Sequence, residues 1–296
     1  MSSILSADEI IEITGGRLAQ GLVPNQSGHV VTDTRQDVEG AWFLALPGQT
    51  YDGHDFLGDA FSAGAIGCIV EERQHYPIPA EAPFPVIAVP DGLIALRALA
   101  RNWRRRLSLK MILVVSAERD RAFSLSSYTS KILSSRFPTK LVDFSTAPGN
   151  PLSELVALDE TTQFVVASMV PPSIDDVTFQ ATALSPNIIL FTDEPFAYMR
   201  LTTSPEELDN GVKTLLTSMD RRPGLVLACG TASAIIRGFE MPANVTFKAY
   251  PGSAFKPQTS TDGDESFMPS TEESWCVAEV CKDCGIPDDI IYGAFV

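Results

Sequence analysis

V-T-D-T-R-Q-D-V-E-G-A-W-F-L-A-L-P-G-Q-T-Y-D-G-H-D-F, residues 31–56, is the part of the chain whose reading decides the fold. A short strand ends in Thr32-Asp33-Thr34-Arg35, and a turn at Glu39-Gly40 leads into an apolar strand from Trp42 to Leu46. Pro47-Gly48 closes that strand, because proline presets one turn dihedral and glycine tolerates the next. A polar loop then carries Asp52-Gly53-His54, and Phe56 opens a helix.

The flanks extend the same alternation. Upstream, Ser6 is a good cap for a helix Ala7–Thr14, with Asp8 and Glu9 in the first turn where the dipole favours acids. Ile10, Ile11 and Ile13 face inward, and Gly15-Gly16 stops the helix. Downstream, the helix from Phe56 to Ala63 ends at Gly64, and buried strands follow at Ala65–Glu71 and Val86–Val89. Asp91 caps a helix through Arg106 whose apolar stripe is Leu93, Leu96, Leu99, Ala100 and Trp103. Alternating strand and helix argues a small α/β domain over residues 1–108. Arg104-Arg105-Arg106 allows two readings, an anion site facing substrate phosphates or, as such runs more often are, a solvated helix end stabilised by the negative pole of the dipole.

The T-D-T-R strand end, the apolar strand around Phe43 and the D-G-H-D-F loop, in that order, resemble the N-terminal domain of the Mur ligase family. These are the ATP-dependent enzymes that extend the peptide of the peptidoglycan precursor, and the D-G-H-x-F form points to the branch that adds D-alanyl-D-alanine. The resemblance implies a pocket for the uridine end of a UDP-sugar. Thr34, Gln49 and Thr50 would contact base or ribose, Asp33 and Arg35 would brace the pocket, and His54 would touch a ligand phosphate. The residues themselves allow another role, in which D-T-R and D-G-H knit strand ends together and a buried His54 satisfies its own turn.

A second domain, residues 109–296, opens on the buried strand Met111–Val115. In the family this strand ends in a phosphate loop, T-G-x-x-G-K-[ST]-[ST], whose glycines let the backbone aim amides at phosphates, whose lysine meets the terminal phosphates and whose hydroxyl binds magnesium. Here the residues are Ser116-Ala117-Glu118-Arg119-Asp120-Arg121-Ala122-Phe123. No glycine remains, Arg121 stands at the lysine position, and Ala122 replaces the hydroxyl. Glu118 and Asp120 are expected to face the triphosphate. Two like charges 4 Å apart cost about 4 kcal/mol at an effective dielectric of about 20. A non-glycine residue forced left-handed adds about 1–2 kcal/mol. ATP and magnesium are therefore expected to be lost.

The rest follows the family's order with further substitutions. A helix over Ser124–Phe137 and a strand Lys140–Phe144 come next, then a shortened stretch Thr146–Leu152. The strand Gln163–Ala167 leads to Ser168-Met169 where the family has a magnesium-binding glutamate. Phe196-Ala197-Tyr198-Met199 stands where the family has A-H-L-E, and the carbamylated lysine of the family aligns near Val212. Lys213 lies about 100° further round that helix, so the role does not transfer to it. Gly224–Ala228 is another buried strand, reaching Cys229-Gly230-Thr231, and residues 250–270 read as a loop. Helices at Glu272–Cys284 and Asp288–Gly293 close the stretch, and the family's C-terminal domain is expected to be absent.

Composition limits the roles. A net charge of −15 and a pI near 4.6 disfavour nucleic acid and anionic membranes. No apolar run approaches the roughly 20 residues of a membrane span, and the first residues lack signal-peptide character. Five irregularly spaced cysteines suit a reducing cytosol. Cys276, Cys281 and Cys284 fit one face of a helix better than a zinc site, which wants four ligands in close pairs. His29 and His75 have no chemical context, and no G-x-S-x-G elbow is present. The expectation is two α/β domains, the second mostly parallel and P-loop-like. The chain is then a cytoplasmic, catalytically inactive homologue acting through a UDP-N-acetylmuramoyl-type ligand or a protein partner, with no metal, no nucleic acid and no membrane insertion. The alternative is the D-alanyl-D-alanine-adding ligase itself.

Overall fold

The computed structural model describes residues 4–48, 50–72, 84–144, 149–170, 173–193, 196–199, 202–219, 222–251 and 269–295. In chain order the first elements are α1 (Ala7–Thr14), β1 (Arg17–Gln20), β2 (Val30–Val31), β3 (Trp42–Leu44), α2 (Leu57–Ser62), β4 (Gly67–Glu71), β5 (Val86–Val89) and α3 (Gly92–Arg106). Then come β6 (Lys110–Val115), α4 (Arg119–Ser134), β7 (Thr139–Asp143), α5 (Gly149–Val156), β8 (Phe164–Met169), α6 (Ile174–Leu184) and β9 (Ile188–Phe191). The last are α7 (Pro205–Ser218), β10 (Gly224–Ala228), α8 (Ala232–Ile236), β11 (Val245–Ala249), α9 (Thr271–Asp283) and α10 (Asp288–Gly293).

These elements form two compact units. One holds Met1–Leu107 with Ala147–Thr161, and the other Ser108–Thr146 with Thr162–Val296. Residues 149–161, read from sequence as part of the second domain, pack with the first. The reason is a buried polar group and an apolar stripe. Trp103 Nε1 donates to the Leu158 carbonyl at 2.8 Å, the Thr32 and Ser153 hydroxyls lie 2.8 Å apart, and Leu152, Leu155 and Val156 are buried.

The first unit is a five-stranded sheet ordered β1-β5-β4-β3-β2, parallel except for β1. Its entry helix α1 carries a full capping box: the Ser6 hydroxyl accepts from Glu9 N, and the Glu9 carboxylate accepts from Ser6 N. The edge strand β1, R-L-A-Q, carries no periodic apolar signal and was not expected. Its pairing with β5 makes it a strand. Arg104 corrects the reading of the α3 end: it is buried at 3% exposure, whereas Arg105 is exposed and Arg106 pairs with Glu9 at 3.0 Å.

The second unit is a six-stranded sheet, β11-β10-β9-β6-β8-β7, with every pairing parallel. Met111 to Val115 of the central β6 are all buried, as a parallel strand covered on both faces requires. Ile112 and Val114 share a core with Leu125, Ile132 and Leu133 of α4 and with Val277 and Val280 of α9. The fold class is the one expected. Because all six strands run the same way, their carboxyl ends collect on one edge, where open α/β sheets bind ligands. The loops after β6, β9 and β10 meet there.

Candidate functional site

The loop after β6 is shorter than its sequence suggests. Helix α4 starts at Arg119 and ends at Ser134, not at Ser124 and Phe137. Without glycine, nothing favours a wide bend, so Arg119, Asp120, Arg121 and Ala122 fold into the first turn and only Ser116, Ala117 and Glu118 stay outside it. Ala122 is fully buried beneath that turn.

One carboxylate occupies the donors of this loop. Ser116 Oγ donates to Asp193 Oδ2 at 2.9 Å, and Ala117 N donates to Asp193 Oδ1 at 2.8 Å. The Glu118 amide closes onto Ser116 Oγ at 3.2 Å. A second carboxylate takes the nearby cation: Arg121 Nε donates to Glu273 Oε1 at 2.6 Å, with Glu273 only 3% exposed. The other Glu273 oxygen accepts from Ser270 N at 2.7 Å and completes the capping box of α9. A third, Glu272, accepts from Gly230 N at 2.6 Å, where φ of +56° suits glycine. Burial works against the Arg121 charge, but the Glu273 carboxylate with Asp193 beyond it outweighs that effect and holds the guanidinium above its ordinary value.

Glu118 and Asp120, expected to confront a triphosphate, are solvent-exposed. The acids that hold this edge are Asp193, Glu272 and Glu273, none of them singled out from sequence. The only signal was position: Asp193 follows the buried strand β9 by two residues, and the Glu pair follows Ser270. Arg119 lies 3.5 Å from Asp143, and Asp143 accepts from the buried Ser168 hydroxyl at 2.6 Å. Beside α7 the surroundings are apolar. Phe196 is fully buried at φ +60°, and its ring lies so near Gly211 that a Cβ there would stand 3.1 Å from Cε2. Val212 is buried and Lys213 is exposed.

In the first unit the sequence-derived residues form local clusters. Asp33 accepts from its neighbour Arg35 through Nε at 2.9 Å, Nη2 at 2.6 Å and the backbone amide at 2.9 Å. That guanidinium holds the Asp33 carboxyl below its ordinary range, although Arg35 itself is highly exposed. Thr34 is half-buried, Thr50 is exposed, and Gln49 lies outside the described residues.

His54 is 7% exposed and engaged at both nitrogens: Nδ1 lies 2.6 Å from Asp52 Oδ1, and Nε2 lies 3.0 Å from the Glu71 amide nitrogen. The amide can only donate, so Nε2 accepts and the ring proton sits on Nδ1 toward Asp52. This ties the D-G-H loop to the end of β4. Close contact helps, since a Cβ on Gly53 would meet Leu46 N at 2.7 Å. His54→Ala is expected to cost about 2–3 kcal/mol, because a buried ring is removed and the half-buried Asp52 carboxylate and Glu71 amide each give up one hydrogen bond. Urea unfolding with an unchanged m-value would check it.

Cys276, Cys281 and Cys284 share the second unit's core with Cys229, which fits the helix-face reading. Burial pushes the Cys284 and Cys68 thiols up to about 12, away from the thiolate that metals require. No described residues form a group of three or more acids, histidines or cysteines fit to hold a metal ion, and no described helix is long and apolar enough to cross a membrane.

No family model matches the chain. It is 37% identical over 87 residues to the UDP-N-acetylmuramoyl-tripeptide–D-alanyl-D-alanine ligase of Synechocystis, covering 28% of this chain and 18% of that protein. With the ligase of the same description from Bacillus subtilis the identity is 27% over 214 residues, 69% of this chain and 46% of the relative. The chain thus spans less than half the length of these curated relatives. Among solved structures, a crystal structure of MurF from Acinetobacter baumannii superposes with a TM-score of 0.76 at 17% identity, over 99% of this chain and 67% of that one. MurF from Thermotoga maritima in complex with ADP gives 0.70 at 16% identity, over 91% and 66%. At such identities the superpositions establish the fold.

Proposed function

We propose that this chain, a member of the Mur ligase family related to its D-alanyl-D-alanine-adding branch, is a non-catalytic homologue whose nucleotide site is filled by its own side chains. The observation that supports this is the seating of Asp193 on Ser116 and Ala117, with Glu273 on Arg121. A polyphosphate would need those donors, and it would meet carboxylates already there. One such encounter at 4 Å and an effective dielectric of about 20 costs about 4 kcal/mol, or about a thousandfold in affinity. Ala122, Ser168, Phe196 and Val212 add nothing that would hold magnesium: an alanine, a hydroxyl already bonded to Asp143, and two buried apolar side chains.

The chain then works by binding. Its candidate ligand is a UDP-N-acetylmuramoyl-type precursor at the strand ends of the first unit, around Asp33, Thr34, Arg35 and Thr50, in the cytoplasm where such precursors are made. A protein partner completes the proposal. Mg-ATP is expected to leave the melting temperature of the purified chain unchanged, with no hydrolysis, while UDP-N-acetylmuramoyl tripeptide raises it. ATP-dependent joining of D-alanyl-D-alanine to that tripeptide would overturn the non-catalytic reading and restore the ligase.

A further inference from the structure

We propose that Asp193 and Glu273 act as built-in anions, holding the turn at residues 116–118 and Arg121 in a folded arrangement that would otherwise call for a bound phosphate. This rests on the non-catalytic reading above and adds a role for the two carboxylates: they replace a ligand and do not merely exclude one.

The geometry has the features of an occupied anion site. The Asp193 carboxylate spans a hydroxyl and a backbone amide through separate oxygens, at 2.9 and 2.8 Å. Charge-assisted bonds of this kind are roughly twice as strong as neutral ones. The amide and hydroxyl belong to the turn between the central strand β6 and the start of α4, where the positive end of the helix dipole favours negative charge. Glu118, the residue before the helix, makes no side-chain cap of its own, so the negative charge arrives from other elements. Asp193 comes from the end of β9. Glu273 comes from the first turn of α9, distant in sequence, and reaches Arg121 at 2.6 Å from a position only 3% exposed. Glu272 repeats the arrangement on the Gly230 amide at the end of β10, at 2.6 Å. The loops after β6, β9 and β10 are thereby joined through carboxylates, each supplied by an element other than the one it binds. A turn organised around a free anion would instead loosen whenever the anion left.

The test uses the full chain, with inorganic phosphate as probe and chloride at matched ionic strength as control. In wild type the Ala117 amide is expected to be protected from hydrogen exchange without any ligand, and phosphate leaves the melting temperature where chloride leaves it. Asp193→Asn keeps the shape and removes the charge. It is expected to melt about 4–8 °C lower and to recover about 3–6 °C when phosphate exceeds its Kd about tenfold. Glu273→Gln, which frees Arg121, is expected to bind phosphate in calorimetry where wild type gives no heat. That variant decides the matter if Asp193→Asn does not fold. Exchange of the wild-type Ala117 amide as fast as exposed loop amides would overturn the inference on its own. So would Asp193→Asn melting with wild type, or a loss that phosphate restores no better than chloride. A wild type indifferent to Mg-ATP beside variants indifferent to phosphate would sink this inference and leave the non-catalytic reading standing.

Discussion

Glu273→Ala is expected to destabilise the second unit by about 2–3 kcal/mol, the loss when a charge-assisted hydrogen bond from a buried carboxylate and half of a helix capping box disappear together. Glu273 is 3% exposed and does two jobs with two oxygens, one on Arg121 Nε at 2.6 Å and one on Ser270 N at 2.7 Å. Removing it strands the guanidinium, which is about one-third exposed, and opens the capping box of α9, itself worth about 1 kcal/mol. Because α9 shares its core with α4 and β6 through Val277, Val280, Leu125 and Ile112, fraying at its first turn is felt in the sheet. The double variant Arg121→Met, Glu273→Leu should recover most of the loss, since apolar residues of similar volume often replace a buried pair at little cost. Urea midpoints with equal m-values would measure both. A single-variant loss under about 1 kcal/mol, the worth of an exposed pair, would show that the Arg121–Glu273 contact carries no structural weight.

The second large effect sits in the first unit, between β3 and β4. Trp42 and Gly67 are register partners, and the indole covers the glycine so closely that a Cβ there would lie 2.3 Å from Cζ3 and 2.9 Å from the Pro85 carbonyl oxygen. The indole is fully buried, and its Nε1 donates to the Leu5 carbonyl at 3.1 Å. Gly67→Ala is therefore expected to cost about 3 kcal/mol by overpacking, and Trp42→Ala about 3–5 kcal/mol by cavity formation. The double variant should cost less than the sum by about 1–3 kcal/mol, because the added methyl enters space the ring has left. Strict additivity in the denaturation midpoints would mean that the ring and the glycine do not compete for one volume.

Much of the architecture was legible locally. The strand ends around Asp33, the turn at Glu39-Gly40 and the cap at Ser6 rest on short-range chemistry: preferred dihedrals, one side chain on one amide, and apolar periodicity. The dual reading of His54 was open in the sequence, and the structure adds the contacts of its two ring nitrogens, with Asp52 and with the Glu71 amide. Strand β1 is not legible in the sequence, because R-L-A-Q has no alternation and its pairing partner β5 lies far along the chain. Arg104 looked like its neighbours in a basic run, yet burial separates it from them.

The amino-acid sequence by itself determined the α/β class, an order of elements resembling that of the Mur ligases, and the absence of glycine and lysine from the loop after β6. Those facts depend on residue type and local spacing, which a linear reading contains. Only the tertiary structure decided which charges meet that loop: Glu118 and Asp120, adjacent in sequence, turn to solvent, while Asp193 and Glu273, from β9 and α9, bind it. A parallel sheet gathers the ends of strands distant in the chain onto one edge, and electrostatic partnership there is set by a few ångströms of space and not by separation in sequence.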